Sequence, residues 1–261
     1  MSIIEAFILG IIQGLTEFLP VSSSGHIELA KSLFGVNAES TLIFTIVVHG
    51  ATVLSILFVF WKDIVDLIKG VFAFKLNEET IYVLKIAVSM IPVAFVGLFF
   101  KDRIESLFGG NNTAFVGYML LITSVLLAIT YFYRPKKTKD VNFLSAFIIG
   151  IAQAIAVLPG ISRSGSTIAT GLFLGVDKEK ITKFSFLMVV IPVLGENFLD
   201  LTKGDITNST IGITPLIVGF IAAFISGVFA CRWMIKIVKN SKLIYFAIYT
   251  FIVGIIAILL G

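Results

Sequence analysis

The chain has 261 residues, 57% of them hydrophobic and 14% charged, against about 25% charged in ordinary soluble proteins. With 25 Phe and apolar runs from end to end it reads as a polytopic membrane protein, which excludes a sizeable soluble domain, disorder and fibrous structure, while the single Cys231 excludes an internal disulfide. The net charge of +4 sits in short loops between apolar segments, a topology signal and not a nucleic-acid surface.

Residues 3–35 are apolar but carry Gln13, Glu17, Pro20, Ser22-Ser23-Ser24 and His26. The first basic residue is Lys31, and Glu5 and Glu17 interrupt the run, so a cleavable signal peptide is not expected. The region reads as a re-entrant helical hairpin: an apolar arm, a polar break and a second short arm. Neither arm is long enough to cross about 30 Å of hydrocarbon. Transmembrane helices are expected at 41–60, 81–100 and 113–133, joined by polar loops from Lys62 to Thr80 and from Lys101 to Asn112. After a loop from Arg134 to Asn142, residues 143–174 carry Gln153, Pro159 and Gly160-Ile161-Ser162-Arg163-Ser164-Gly165-Ser166, and read as a second re-entrant hairpin. Three further spans follow at 184–201, 213–231 and 243–260. No linker marks a boundary, so residues 1–261 form one all-α membrane domain.

The two broken regions match each other. Gly10-Ile11-x-Gln13 aligns with Gly150-Ile151-x-Gln153, and Ser22-Ser23-Ser24-Gly25 with Ser162-Arg163-Ser164-Gly165, both at an offset of 140 residues. A Leu-Pro pair lies between the blocks in each copy, shifted by one, and Phe44 with Phe186 and Val47-Val48 with Val189-Val190 are weaker echoes. The halves, about 1–135 and 136–261, each hold one hairpin and three spans. Three is odd, so the second half is expected upside down relative to the first, the inverted-topology repeat whose broken helices meet at the midplane. The loops 61–80, 134–142, 175–183 and 232–242 would then share a face and hold fourteen Lys/Arg, while the other face has Lys101, Arg103, Lys203 and Lys31. The positive-inside rule puts the fourteen in the cytoplasm and both termini outside.

Charges inside a bilayer cost roughly 2.5–3.5 kcal/mol on insertion scales, which makes Glu17 and Arg163 functional candidates. The plain alternative, that they only pair with each other, leaves the surrounding polar cluster without a reason. The position matching Arg163 is Ser23, that matching Glu17 is Val157, and that matching His26 is Ser166. One break therefore supplies a carboxylate and an imidazole and the other a guanidinium, a division that suits acid/base groups facing an anion clamp. Gln13 and Glu17 share a helix face at i, i+4. Each Ser/Gly turn opens a helix whose free N–H groups suit phosphate oxygens, and two such ends with Arg163 suit a diphosphate.

The run Gln13-Gly14-Leu15-Thr16-Glu17-Phe18-Leu19-Pro20-Val21-Ser22-Ser23-Ser24-Gly25-His26 resembles the first signature of the undecaprenyl-diphosphate phosphatase family, also called the bacitracin-resistance family. Leu158-Pro159-Gly160-Ile161-Ser162-Arg163-Ser164-Gly165-Ser166-Thr167 resembles its second. The resemblance covers essentially the whole chain. It implies an enzyme of the bacterial inner membrane that removes the terminal phosphate of a C55 polyprenyl diphosphate. That recycles the carrier lipid for peptidoglycan and other envelope polymers and gives bacitracin resistance. It also implies dependence on a divalent cation (Mg²⁺ or Ca²⁺) and a site open to the outer face. Gln13 stands where the family often has Glu, which removes one carboxylate from a two-carboxylate metal site. His49-Gly50-Ala51-Thr52 only loosely resembles a further family segment; His49 is either a hydrogen-bonded core residue or a support behind the site. Glu196, after Pro192 and Gly195, is expected in helix-break packing or at the outer surface.

The expected mechanism places the diphosphate between the breaks. Glu17, His26 and Arg163 would be catalytic, with Glu17 as cation ligand or general base and His26 as nucleophile or acid/base group. Gln13, Ser22, Ser23, Ser24, Gly25, Ser162, Ser164, Gly165 and Thr167 would hold the substrate. Attack by His26, by Ser23 or a neighbouring hydroxyl, or by water all stay open, as does the oligomeric state, a homodimer included. The main rival is a transporter or flippase of an anionic polyprenyl lipid, separated by whether a bond breaks in detergent. A channel or purely structural protein would be insensitive to changes at Glu17, His26 and Arg163.

Overall fold

In the computed structural model the described residues are 1–34, 42–100, 103–104, 107, 113–133, 138–202 and 211–260. Lys101, Arg134 and Lys203, and the side chains of Lys31 and Glu196, lie outside this description. The described chain is all-helical apart from one isolated bridge between Lys139 and Val176.

Both broken regions are helix–break–helix. Helix α1 (Ile3–Phe18) starts at a capping box in which the Ser2 hydroxyl accepts from the Glu5 N–H and the Glu5 carboxylate accepts from the Ser2 N–H. It stops before Pro20, and α2 (Ser23–Phe34) follows. Helix α7 (Phe143–Ile155) starts 140 residues later at the same device, with Asn142 and Ser145 exchanging hydrogen bonds of 2.8 Å. It stops before Pro159, and α8 (Arg163–Phe173) is capped by Ser162.

Helices α5 (Glu78–Phe99), α6 (Thr113–Phe132) and α11 (Ile213–Lys239) are each long and apolar enough to cross a membrane, as expected near 81–100, 113–133 and 213–231. Helix α12 (Ile244–Leu260) is a shorter apolar helix of 17 residues. The other two expected spans differ. Helix α3 (Leu42–Val59) bends by 78° into α4 (Trp61–Phe72), where the sequence suggested only a polar loop. Helix α4 forms because its sequence is amphipathic: Ile64 and Leu67 pack on the core while Lys62, Asp63, Asp66 and Lys69 lie on the polar side. The expected span 184–201 is two helices, α9 (Lys178–Met188) and α10 (Val190–Thr202). Pro192 accounts for that break, since it has no N–H for the Met188 carbonyl and its ring crowds that oxygen.

Helix α1 packs along α11, α7 along α5, and α6 along α12. Small residues make these approaches close: a Cβ on Gly10 would lie 2.5 Å from the Gly219 carbonyl, one on Gly150 would collide with the Ser89 backbone, and Gly117 and Gly254 each face the other's carbonyl oxygen. A core of Phe18, Ile56, Phe184, Phe186 and Met234 lies beneath the two breaks, with Phe18 edge-on to Phe186 at 5.5 Å. The outer surfaces of the long helices are apolar, with Leu98, Ile122, Phe229 and Leu259 all exposed. Such a surface is stable only against lipid, so the molecule is a multi-pass membrane protein.

Candidate active site

The two breaks meet. The Ser164 hydroxyl donates to the Leu19 carbonyl at 3.2 Å. A Cβ built on Gly165 would touch Pro20, and one on Gly25 would touch the Gly160 backbone. Gly160 takes φ +95° and faces the Val116 carbonyl, so a side chain there would be both strained and crowded.

The turns repeat one geometry. In the first, the Gly25 N–H donates to Ser22 Oγ at 3.3 Å and Ser22 Oγ lies 3.3 Å from Ser24 Oγ. In the second, the Gly165 N–H donates to Ser162 Oγ at 3.1 Å and Ser162 Oγ lies 3.4 Å from Ser164 Oγ. The first turn alone is strained: Ser22 sits at φ +70°, rare for a residue with a side chain. The second is tied to α6, where Thr123 Oγ1 donates to the Gly160 carbonyl and accepts from the Ser162 N–H at 3.0 Å.

Glu17 is the hub. Its side chain is 7% exposed. Gln13 Nε2 and Ser23 Oγ donate to Oε2 at 3.0 and 2.8 Å, and the Arg163 guanidinium pairs with Oε1 from the other break. The Glu17 and Arg163 charges therefore compensate each other, and the polar cluster around them is shared with a serine and an amide. The Gln13 carbonyl oxygen is buried without a hydrogen-bond donor.

His26 stands beside this hub with both ring nitrogens engaged. Nδ1 is 2.8 Å from the Ser22 carbonyl and Nε2 is 2.7 Å from the Tyr249 hydroxyl. A carbonyl only accepts, so Nδ1 carries the proton and the Tyr249 O–H donates to Nε2. The rings of His26 and Tyr249 are parallel within 9° at 5.5 Å. Thr167 Oγ1 donates to the Arg163 carbonyl at 2.9 Å and meets Ser185 Oγ of α9 at 2.6 Å. A small cleft lined by Glu17, Arg163, Ser164, Ser185, Phe186 and Val189 opens at this point.

The structure thus gathers Gln13, Glu17, Ser22, Ser23, Ser24, Gly25, His26, Ser162, Arg163, Ser164, Gly165 and Thr167 around one point. His49, half-buried on α3, is not among the residues lining the cleft. Sequence reasoning missed Tyr249, Ser185 and Thr123. Each is one of several polar residues in its helix, and nothing in the sequence separates it from the others. Among the described residues no group of three or more His, Cys, Asp or Glu could hold a metal ion.

The sequence model described as bacitracin resistance protein BacA matches residues 6–256. A Bacteroides fragilis protein named undecaprenyl-diphosphatase is 55% identical over 260 residues, spanning 98% of this chain and 97% of its own length. A Bacteroides thetaiotaomicron protein of the same name is 55% identical over 262 residues, spanning 99% of each chain. An Alkaliphilus metalliredigens protein of that name is 42% identical over 278 residues, spanning 99% of this chain and 98% of its own.

Proposed function

The chain belongs to the bacitracin resistance protein BacA family, and from that membership we propose how it acts: as a phosphatase that converts undecaprenyl diphosphate to undecaprenyl phosphate and inorganic phosphate at the paired breaks. The observation that carries the site assignment is the Ser23 hydroxyl, 2.8 Å from a Glu17 carboxylate that is itself paired with Arg163 of the opposite break. A nucleophile, its base and an anion clamp are thereby within reach of one another.

In this reading the diphosphate enters the cleft and takes the Arg163 guanidinium as its counter-ion. The N–H groups opening α2 and α8 bind its oxygens. Arg163 thereby leaves Glu17 free to accept a proton. Ser23 Oγ attacks the terminal phosphorus, its proton passes to Glu17 Oε2, and the bond from that phosphorus to the bridging oxygen breaks, releasing polyprenyl phosphate. Water then attacks the phosphoserine, and inorganic phosphate leaves as Ser23 regains its proton. His26 is not the nucleophile here, because its lone pair and its proton are both committed. It fixes the strained Ser22 carbonyl and so the aim of Ser23.

A divalent cation fits only with the substrate's help. Glu17 and the donorless Gln13 carbonyl oxygen would hold it, and phosphate oxygens and water would complete its shell. When bound it would offset charge on the diphosphate.

We further propose that the breaks are re-entrant hairpins entering from opposite faces of the plasma membrane, with the termini and the site opening outside. Supporting this, contacts recur under the 140-residue offset. Gly25 meets Gly160 as Gly165 meets Pro20, and α1 packs on α11 as α7 packs on α5. A transporter of the same lipid is not favoured, since the similar proteins are named as diphosphatases.

The test is phosphate release by purified protein from C55 diphosphate in detergent, beside Ser23→Ala and a mass-spectrometric search for phosphorylated Ser23 after acid quench. Activity loss of about 10³-fold in the variant with a phosphoserine in the parent is expected. Full activity of Ser23→Ala would move the attack to water or to another hydroxyl.

A further inference from the structure

On the lipid-facing side of α11, Ile225, Phe229, Arg232 and Lys236 fall at spacings of four, three and four residues, forming one stripe. With Trp233 they line a shallow groove. Its walls come from neighbouring helices: the Arg232 guanidinium lies over the Phe58 ring of α3 at 5.9 Å, and Trp233 packs edge-on to Phe246 of α12 at 6.5 Å. Ile225 and Phe229 are 63% and 62% exposed, so one end of the groove is apolar and the other carries two cations.

Those cations lack what their neighbours have. Lys239, Lys183 and Lys180 pair with Glu179, Asp63 and Asp140. Arg232 and Lys236 have no carboxylate partner among the described residues. The helices that wall the groove, α3, α11 and α12, contain no Asp or Glu, and α9, which also packs against α11, has its Glu179 paired with Lys239. Two like charges four residues apart on one helix face repel, so the groove is complementary to an anion from outside the protein. Arg232 lies seven residues, about 10 Å, short of the C-terminal end of α11. An anion joined to a hydrocarbon chain that runs back along Phe229 and Ile225 would satisfy both ends of the groove.

We propose that this groove is a binding site for an anionic phospholipid of the surrounding bilayer. The headgroup phosphate bridges Arg232 and Lys236, and an acyl chain lies against Phe229, Trp233 and Ile225. Arg232 supplies a planar fork for the phosphate oxygens, and Lys236 a point charge. The site is on the outer wall, independent of the two breaks.

The chain has two Trp, Trp61 and Trp233, so a Trp61→Phe protein reports Trp233 alone. Full-length protein in detergent is titrated at constant ionic strength with phosphatidylglycerol or phosphatidylcholine carrying the same brominated acyl chains. Phosphatidylglycerol is expected to quench Trp233 at about 25-fold lower mole fraction, the scale of two basic residues each contributing about fivefold near an anionic headgroup. Arg232→Gln combined with Lys236→Gln should bring the two titrations together while leaving phosphatase turnover unchanged. Equal quenching by both lipids in the parent overturns the proposal, as does a preference that survives the double substitution. Loss of quenching on adding millimolar inorganic phosphate would also overturn it, by showing a site for free phosphate instead of lipid.

Discussion

Ser23 and Arg163 occupy equivalent positions in the two breaks, and they bind opposite oxygens of the same carboxylate, Glu17: Ser23 Oγ on Oε2 at 2.8 Å and the guanidinium on Oε1. The duplicated turn thus places two different side chains at one point from two directions. Neither copy alone contains both the base and the cation. A repeat that served only packing would not need that asymmetry, and an enzyme for a diphosphate does.

Removing one partner of this pair should be worse for stability than removing both. Arg163→Ala leaves the buried Glu17 charge uncompensated, at a cost of about 3–5 kcal/mol, and should lower the melting temperature in detergent clearly. Glu17→Gln combined with Arg163→Gln should recover most of that loss, because no bare charge remains. Turnover in both variants should fall by about 10²–10³-fold or more. An Arg163→Ala protein that melts like the parent, or turns over like it, would refute the paired hub.

Tyr249 is expected to act through His26. Tyr249→Phe keeps the parallel ring contact but deletes the 2.7 Å hydrogen bond. The net stability of such a bond is about 1 kcal/mol, so folding should be little affected. With Nε2 unheld, the Ser22 turn loses its lock, and kcat should fall about tenfold with KM nearly unchanged. Steady-state kinetics over a range of substrate concentrations check this. A change confined to KM would place Tyr249 in substrate binding instead.

Much of this arrangement was legible in the sequence, because rare polar residues in apolar segments have few reasons to be there. Gln13, Glu17, Pro20 and the serines mark the first break, their matches mark the second, and the 140-residue offset predicts the turns' shared shape. Helix α4 was less legible, since Lys62, Asp63, Asp66 and Lys69 read as loop charge unless the 3.6-residue period of Ile64 and Leu67 is given weight. Pro192 was visible, but its division of 184–201 into two helices follows from where its missing N–H falls. Tyr249 and Ser185 were not legible. Their partners, His26 and Thr167, lie 223 and 18 residues away in the chain and are brought close only by tertiary packing.

Gly160 tests how tightly the breaks interlock. Its φ of +95° and the Val116 carbonyl 2.6 Å from a built Cβ leave no room for a methyl group. Gly160→Ala should cost about 1–3 kcal/mol and displace Ser162 from Thr123, with a loss of activity larger than the loss of folded protein. Gly97→Ala is the control. Nothing lies within 4 Å of its Cβ position on α5, so it should leave turnover unchanged and stabilise the helix by about 0.5–1 kcal/mol. Thermal melts and turnover of the two variants side by side decide the point; equal behaviour would mean that the second break is free to adjust.

Gln13 should determine how much metal the protein binds without substrate. With Glu17 as the sole carboxylate of the hub and no cluster of three acidic, His or Cys side chains among the described residues, substrate-free protein should show no calorimetric Mg²⁺ or Ca²⁺ binding below the millimolar range. Gln13→Glu would place a second carboxylate at i, i+4 from the first. It would also exchange the 3.0 Å amide hydrogen bond to Glu17 for like-charge repulsion. The variant should therefore melt lower than the parent in chelator and regain stability as Mg²⁺ or Ca²⁺ is added, while the parent's melting temperature stays flat. Two carboxylates close enough to share a dication would raise its affinity about tenfold or more. Tight cation binding by the parent alone would show that the hub already holds a complete ligand set, and the cation would then not depend on the diphosphate to bind.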